Sequence, residues 1–236
     1  LPAAVKDNLA DVIRYELDRF TPFSHDEALY DFSIFGEKDE KLLVSLSVAR
    51  EGQFAPYVAS LSEKGIKVKR ITAETVCLAA LCRYMTDGAD TVCLSIMKDE
   101  FTGCGTVRGV VVSPFTGDLV RENGENNGTL LAGEITPLIE TMAAYSIEPR
   151  LTVVGDDTME TGLDEQVPVP AVRVTSDAIR DRLNAPGQDL PVTTAGAVVE
   201  DLWDKAVTIN LLSKGGMAKK KIPLLVTVFL VFVILG

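Results

Sequence analysis

The residues best suited to metal or nucleophilic chemistry are four cysteines and a single histidine. The cysteines are Cys77, Cys82, Cys93 and Cys104, and none of them belongs to a CxxC pair. Zinc sites normally use thiolate or imidazole ligands at short, paired spacings. His25, the only histidine, lies far from the cysteines in the sequence. The pattern therefore predicts buried free thiols in a reducing cytoplasm rather than a metal centre.

Other candidate catalytic groups lie in turns and polar stretches. His25 could act as a general base, but its polar sequence surroundings predict a surface histidine. The Asp87-Gly88 turn precedes an apolar run and is typical of a plain connection. Asp156 and Asp157 follow another apolar run, and adjacent carboxylates on a loop seldom face one metal ion together. The sequence contains no GxSxG, P-loop or HExxH motif.

The charge and length of the chain narrow the class of protein. It carries 23 Lys and Arg against 34 Asp and Glu, a net charge of −11. Binding nucleic acid requires a basic surface that meets the phosphates, so no nucleic acid partner is predicted. With 236 residues, 47% of them hydrophobic, the chain is long enough for one large α/β domain or two smaller ones.

An uncharged run, IPLLVTVFLVFVILG, occupies residues 222–236. A transmembrane helix needs ~20 apolar residues, so the run predicts a truncated span; a buried core segment is the alternative. Basic residues precede it, as the positive-inside rule expects on a cytoplasmic flank: Lys214, Lys219, Lys220 and Lys221. We expect a single-pass protein whose N-terminal domain is cytoplasmic. Leu1-Pro2 opens directly into a helical pattern without an initiator Met, which indicates that the sequence begins inside a longer protein.

The first α/β subdomain is predicted over residues 1–85, from hydrophobic periodicity. Its elements are an amphipathic helix over 3–20, an antiparallel hairpin of strands 28–35 and 42–49, a helix over 51–64, a strand over 66–71 and a helix over 74–85. The predicted core face of the first helix comprises Val5, Leu9, Val12, Ile13, Leu17 and Phe20. That of the second helix comprises Phe54, Tyr57, Val58 and Leu61, and Gly65 ends it.

A second α/β subdomain is predicted over residues 86–204. Its strands are expected at 91–97, 105–113, 117–121, 151–154 and 171–174, with helices at 130–146 and 194–204. The region 156–191 is rich in Pro and acidic residues and predicts a surface loop apart from the short strand. Residues 205–221 are expected to form a linker. The similar order of elements in the two halves indicates a duplicated layout.

Three stretches resemble the family of type II secretion system protein L and its relative, the type IV pilus protein PilM. The first is LPAAVKDNLADVIRYELDRFTPFSHDEALYDF, with its helix ending at TPF before an acidic-aromatic strand. The second is LLVSLSVAREGQFAPYVASLSEKGIKVKRITAETVCLAAL. The third is AGAVVEDLWDKAVTINLLSKG, whose INLL motif precedes the membrane span in the secretion protein and opens PilN in pilus systems. Ile209, Asn210, Leu211 and Leu212 carry that motif here.

This resemblance implies an actin-like fold, an RNase H-like duplicated α/β architecture. Actin-like ATPases hold phosphate in a strand-turn-strand loop with Asp-x-Gly at the turn, where backbone N–H groups approach the ligand. By strand alignment, Ser95 stands here in place of the Asp and Met97 in place of the Gly. The second half therefore predicts no catalytic residue, no metal and no cofactor, although ATP binding stays open because the first phosphate loop would precede Leu1.

The resemblance also implies partners. A scaffold of this family binds the secretion or pilus assembly ATPase (the E protein) and an M-type inner-membrane protein, and forms a homodimer at the bacterial inner membrane. In the pilus relatives the INLL peptide docks into a groove of the actin-like domain, and the alternative here is a plain linker. Two functions follow: a non-catalytic assembly-platform protein that recruits the ATPase, or a membrane-anchored actin-like ATPase that binds ATP.

Overall fold

The computed structural model describes residues 1–97, 100–119, 128–145, 147–155, 163, 166–167, 169–185 and 190–213. Its helices are α1 (Leu9–Phe20), α2 (Glu51–Glu63), α3 (Glu74–Met85), α4 (Gly128–Ala144), α5 (Ser176–Leu183) and α6 (Val192–Leu202). Its strands are β1 (Ala28–Lys38), β2 (Lys41–Arg50), β3 (Val92–Met97), β4 (Glu100–Val107), β5 (Val110–Asp118), β6 (Leu151–Val154) and β7 (Ala171–Val174). Short 3₁₀ helices cover Ala3–Asn8 and Leu211–Ser213.

Strands β1 and β2 form the predicted antiparallel hairpin, with α1 packed on one face. Alternation along β1 directs Ala28 and Tyr30 toward α1 and directs Leu29 and Asp31 to the opposite face. The hairpin region is thus built around a small core beneath α1, and its second face is left for another part of the chain to cover.

The second sheet has five strands in the order β5-β4-β3-β6-β7. Strands β3, β6 and β7 are parallel, and β4 and β5 join β3 as antiparallel neighbours. Because side chains alternate, Val92, Leu94 and Ile96 of β3 face α4, whereas Cys93 faces α3 and α6. Helices therefore cover this sheet on both faces, which is typical of parallel strands.

Helices α3 and α6 approach each other closely at Gly196. A Cβ atom added there would lie 2.2 Å from the carbonyl oxygen of Cys77. Only glycine permits that separation, since a backbone group cannot move aside as a flexible side chain can. The contact holds α3 and α6 side by side on one face of the five-stranded sheet.

Several predicted elements need correction. The helix expected from residue 3 is 3₁₀ over Ala3–Asn8 and becomes α-helical only at Leu9. Phe20, assigned to its core face, is 57% exposed. No residue of α2 is buried, although the periodicity predicted a core face, because its inner side meets only a small apolar cluster. The strand predicted over 66–71 is irregular backbone without strand pairing.

The second half differs in three places. The strand predicted over 105–113 is interrupted by a turn at Arg108-Gly109, where both residues have positive φ. Of the strand predicted over 117–121, residues 117 and 118 are the end of β5, and residues 120 and 121 lie outside the described ranges. Within the predicted loop 156–191, α5 forms over Ser176–Leu183, with Thr175 capping its first turn. The two halves also differ in the sheets that the described residues form, with two strands in one and five in the other.

Across the described ranges, no helix combines the length and the apolarity needed to cross a membrane. The predicted span at 222–236 and Lys214, Lys219, Lys220 and Lys221 lie outside those ranges. The division at residue 85 and the linker over 205–221 stay predictions.

Candidate docking site for the INLL segment

Residues 209–212, called the INLL segment below, lie in a groove between the hairpin, α3 and α6. Ile209 and Leu211 are 5% and 4% exposed, whereas Leu212 is 36% exposed. The two buried side chains join Leu29 of β1 and Val76 of α3 in one apolar cluster. The segment thus covers the hairpin face that α1 leaves open.

Three consecutive backbone N–H groups of the segment have acceptors in the groove. The N–H of Ile209 donates to Glu200 Oε1 at 3.0 Å, and that of Asn210 donates to Asp31 Oδ2 at 2.7 Å. The N–H of Leu211 donates to the carbonyl oxygen of Ile71 at 2.9 Å. Two of these bonds end on carboxylates, and bonds to ionised acceptors are shorter and stronger than neutral ones.

The Asn210 side chain uses both ends of its amide. Its Oδ1 accepts from the N–H of Ile71 at 3.3 Å and from that of Leu212 at 3.2 Å. Its Nδ2 donates to the carbonyl oxygen of Lys69 at 3.2 Å. A carboxylate cannot donate and an aliphatic side chain can do neither, so the position fits Asn. These bonds occupy the backbone that sequence reasoning assigned to a strand over 66–71.

The two acceptor carboxylates come from opposite sides of the groove. Asp31 is 2% exposed and follows Leu29 by two residues, so strand alternation places both on the same face of β1. Glu200 is 1% exposed and lies on α6. Arg70 links Glu200 to the surface, since its guanidinium lies 3.5 Å from Glu200 and 3.0 Å from Asp201. The segment therefore connects β1, α6 and the stretch before α3.

Asp31 and Glu200 were not assigned to the site from the sequence. Asp31 lies in the first stretch that resembles the family. A carboxylate among the apolar residues of a predicted strand is the signal that could have marked it as a binding residue. Glu200 gave a weaker signal, because an acidic residue near the end of an amphipathic helix is ordinarily a surface residue.

The candidate phosphate turn lies at another edge of the molecule. Ser95 is 7% exposed inside β3, whereas Met97 is 51% exposed at the strand's carboxyl end. Gly155 follows β6 at the same edge of the sheet, with φ +136° and its N–H donating to the carbonyl oxygen of Val174 at 3.1 Å. Residues 98, 99 and 156–162 lie outside the described residues. Asp156 and Asp157 are among them.

The other candidate catalytic residues, Asp87 and His25, contact charged side chains near the surface. Asp87 forms an ion pair with Arg182, and Gly88 lies beneath the Trp203 ring. His25 is partly exposed, with its Nε2 3.2 Å from Asp26 Oδ1.

The four cysteines are buried in the core as free cysteines. Cys93 and Cys104 are opposite each other in the β3–β4 register. Burial raises the pKa of Cys93, and the pKa of Cys104 is raised first by its contact with Cys93 and then by burial. In the described part of the chain, no group of His, Cys, Asp and Glu side chains is arranged to hold a metal ion.

An apolar groove of about 630 Å³ runs between α1 and the hairpin. Its lining includes Ile13, Phe20, Phe35 and Leu46, with Thr21 as a polar neighbour. Such a lining offers few groups to orient a polar substrate.

No protein-family model matches this chain, and no curated protein matches it. A solved structure, the PilM-PilN type IV pilus biogenesis complex, is similar to it with 14% sequence identity and a TM-score of 0.50. The alignment covers 84% of this chain and 73% of that chain. A Bacteroides thetaiotaomicron protein of unknown function with an actin-like ATPase fold aligns at 9% identity. That alignment covers 78% of this chain and 67% of the other, with a TM-score of 0.39.

The likeness to the PilM structure shows the fold alone at this identity. The chain has a mixed α/β fold of the actin-like ATPase type. This confirms the α/β, actin-like part of the predicted fold class. The C-terminal transmembrane helix and kinship with the type II secretion protein L stay predictions.

Proposed function

We propose that this chain is a non-catalytic assembly-platform protein of a bacterial type II secretion or type IV pilus system. It recruits the cytoplasmic assembly ATPase to the inner membrane, where residues 222–236 form a single span and the preceding domain is cytoplasmic. An M-type inner-membrane protein and a second copy of the chain are the further partners of the platform. The same fold in a protein of a pilus biogenesis complex supports this proposal.

The observation that carries the proposal is the docked INLL segment. Asp31, Glu200 and Ile71 accept its successive N–H groups, and Ile209 and Leu211 fill the apolar part of the groove. The residues that follow are the lysines and the apolar run. A segment held this firmly transmits the position of the span to the domain, so the domain stays at the bilayer and its ATPase partner is concentrated there.

Catalysis is not part of the proposal because Met97 stands where close approach to phosphate would require glycine. Its side chain is exposed at the carboxyl end of β3, and Ser95 replaces the expected metal-orienting carboxylate. The alternative, a membrane-anchored ATPase that binds ATP, makes the opposite prediction about nucleotide.

The test uses the full chain reconstituted in lipid vesicles. We expect the N-terminal domain of the assembly ATPase to float with vesicles that carry the chain and to stay behind with empty vesicles. Calorimetry with Mg²⁺ and ATP should give no binding. Failure to recruit the ATPase overturns the partner assignment, and micromolar ATP binding overturns the non-catalytic role.

A further inference from the structure

The C-terminal end of α2 carries a concentrated positive charge in an acidic chain. Lys64, Lys67, Lys69 and Arg70 fall within seven consecutive residues, although the net charge of the chain is −11. Arg70 is paired with Glu200 and Asp201. The three lysines are exposed, and among the described residues no carboxylate forms an ion pair with them.

Exposed apolar side chains lie beside these lysines. Tyr57 is 71% exposed, Leu61 is 37% exposed and Ile66 is 52% exposed. Tyr57 and Leu61 are four residues apart and share one side of α2. Phe54, three residues before Tyr57, lies on the adjoining part of the helix surface and packs against the INLL cluster. The exposed side chains of α2 and of the stretch that follows it therefore combine apolar groups with lysines, and we call residues 57, 61, 64, 66, 67 and 69 the α2 face.

The turn after α2 holds this end in a fixed shape. Gly65 adopts φ +75°, and its N–H donates to the carbonyl oxygen of Ser62 at 2.9 Å. The N–H of Ile66 donates to the carbonyl oxygen of Leu61 at 2.9 Å. This pair of bonds is the glycine-ended helix stop that places the following apolar residue against the last turn. Ile66 and its flanking lysines are thus presented together.

The α2 face also lies beside the segment that leads to the predicted span. The carbonyl oxygen of Lys69 accepts from Asn210 Nδ2 at 3.2 Å. Residues 214–221 separate the docked segment from the apolar run, and an extended chain of that length reaches at most about 28 Å. The domain consequently stays within that distance of the bilayer, and an acidic domain near an anionic leaflet is repelled unless a basic face turns toward it.

We propose that the α2 face docks on anionic phospholipid headgroups. Lys64, Lys67 and Lys69 meet the headgroups, and Tyr57, Leu61 and Ile66 enter the boundary with the acyl chains, as in interfacial amphipathic helices. The inference rests on the membrane tether of the proposed function. It assigns the face of the domain that turns toward the bilayer, and hence leaves the opposite faces for the ATPase.

The experiment reads the environment of position 66 in the full chain. Ile66→Cys is labelled with a polarity-sensitive fluorophore, because the four native thiols are buried. The labelled chain is reconstituted in vesicles of phosphatidylcholine alone or with phosphatidylglycerol. Val172→Cys is the control, since Val172 is 43% exposed on β7, away from α2. We expect a blue shift at position 66 only with phosphatidylglycerol, no shift at position 172, and loss of the shift in molar salt.

Charge-reversal variants distinguish an effect of the α2 lysines from an effect of the net charge of the chain. Lys64→Glu, Lys67→Glu and Lys69→Glu together should abolish the shift, and removal of one lysine should lower the docked-to-free ratio about fivefold. Lys6→Glu, Lys38→Glu and Lys41→Glu change the net charge equally at exposed positions elsewhere and should leave the shift intact.

The outcomes distinguish this inference from the tether itself. A chain that does not float with vesicles refutes the tether and, with it, the docked face. A chain that floats but gives the same signal in both lipids, or a shift insensitive to the α2 lysines, refutes the docked face alone. A shift that arises only when an acidic protein partner is added also overturns it, since the lysines would then serve a protein.

Discussion

The apolar faces of the β1–β2 hairpin and of the five-stranded sheet are covered in different ways. The five-stranded sheet has α3 and α6 on one face and α4 on the other, so its two cores close without outside help. The hairpin has α1 on one face, and its other face packs against Val76 of α3 together with Ile209 and Leu211 from the far end of the described chain. An element that depends on a distant segment is suited to coupling, because its order reports whether that segment is docked.

The junction between the regions is polar as well as apolar. Asp31 on β1 and Glu200 on α6 both accept N–H groups of the INLL segment. Buried carboxylates are costly unless satisfied, so each loses one of its hydrogen-bond donors when the segment leaves. The junction therefore holds the segment in one register rather than as a loose apolar plug.

The largest loss of unfolding free energy should follow from a change in the core of the five-stranded sheet. Leu131→Ala on α4 should lower the free energy of unfolding by about 2 to 5 kcal/mol, because Leu131 is fully buried against the five-stranded sheet. Leu130→Ala, one residue away and 45% exposed, should change it by less than about 0.5 kcal/mol. Urea denaturation measures both, and equal losses would contradict the core assigned to α4.

A smaller and more local loss of stability should follow from truncating Leu211, which packs against the hairpin. Leu211→Ala should cost about 2 kcal/mol, near the low end for buried leucine, because a terminal segment can partly collapse into the cavity. Hydrogen exchange should speed up in β1 and β2 while β3 and β6 stay protected. Leu212→Ala is the matched control, since Leu212 is 36% exposed. Equal loss of protection in both sheets would break the comparison between the regions.

The polar contacts of the junction can be tested on the two acidic partners of Arg70. Arg70 contacts buried Glu200 and exposed Asp201. Glu200→Gln keeps an acceptor for the Ile209 N–H but removes the charge, and should cost roughly 1 to 2 kcal/mol. Asp201→Asn removes a screened surface pair and should cost under about 1 kcal/mol. Denaturation of both variants provides the measurement, and a larger loss for Asp201→Asn would place the key contact at the surface instead.

The smallest effect concerns pH at the α3–α6 contact. Burial, then the charges of Glu200 and Glu74, raise the pKa of Cys77 from 9.0 to about 12. The folded thiol keeps its proton where the unfolded thiol has lost it, so unfolding releases a proton between those values and stability falls as pH rises above 9.0. Cys77→Ala should show a shallower alkaline decline in urea denaturation. Parallel curves for the two proteins would mean that Cys77 is not protected from ionisation.

Hydrophobic periodicity predicted the elements whose partners lie nearby or whose pattern is long. Helices α3, α4 and α6 and the β1–β2 hairpin are close to their predicted ranges. It failed for α5, a polar helix of eight residues with a single buried side chain, Ile179, which gives almost no periodic signal. It also failed at Arg108-Gly109, where Asp90 accepts both N–H groups of the turn and so stabilises an abrupt reversal.

The candidate site was predictable only in part. The family resemblance singled out residues 209–212, but their acceptors lie on β1 and α6, and no local pattern marks Asp31 or Glu200 as partners of one segment. The irregular stretch 66–71 has apolar residues typical of a strand. Its amide partner is an asparagine 139 residues away in sequence, and that distance is the reason for the error.

The sequence by itself determined the α/β composition, the alternation that places Leu29 and Asp31 on one face, the acidic charge and the apolar run at 222–236. Those properties are local, because they follow from the period of a helix or a strand and from the count of charged groups. The tertiary structure alone decided that the INLL segment satisfies its N–H groups on two buried carboxylates and that an arginine bridges one of them to the surface. Such contacts join residues far apart in the chain, and only the packing of both regions brings them within hydrogen-bonding distance.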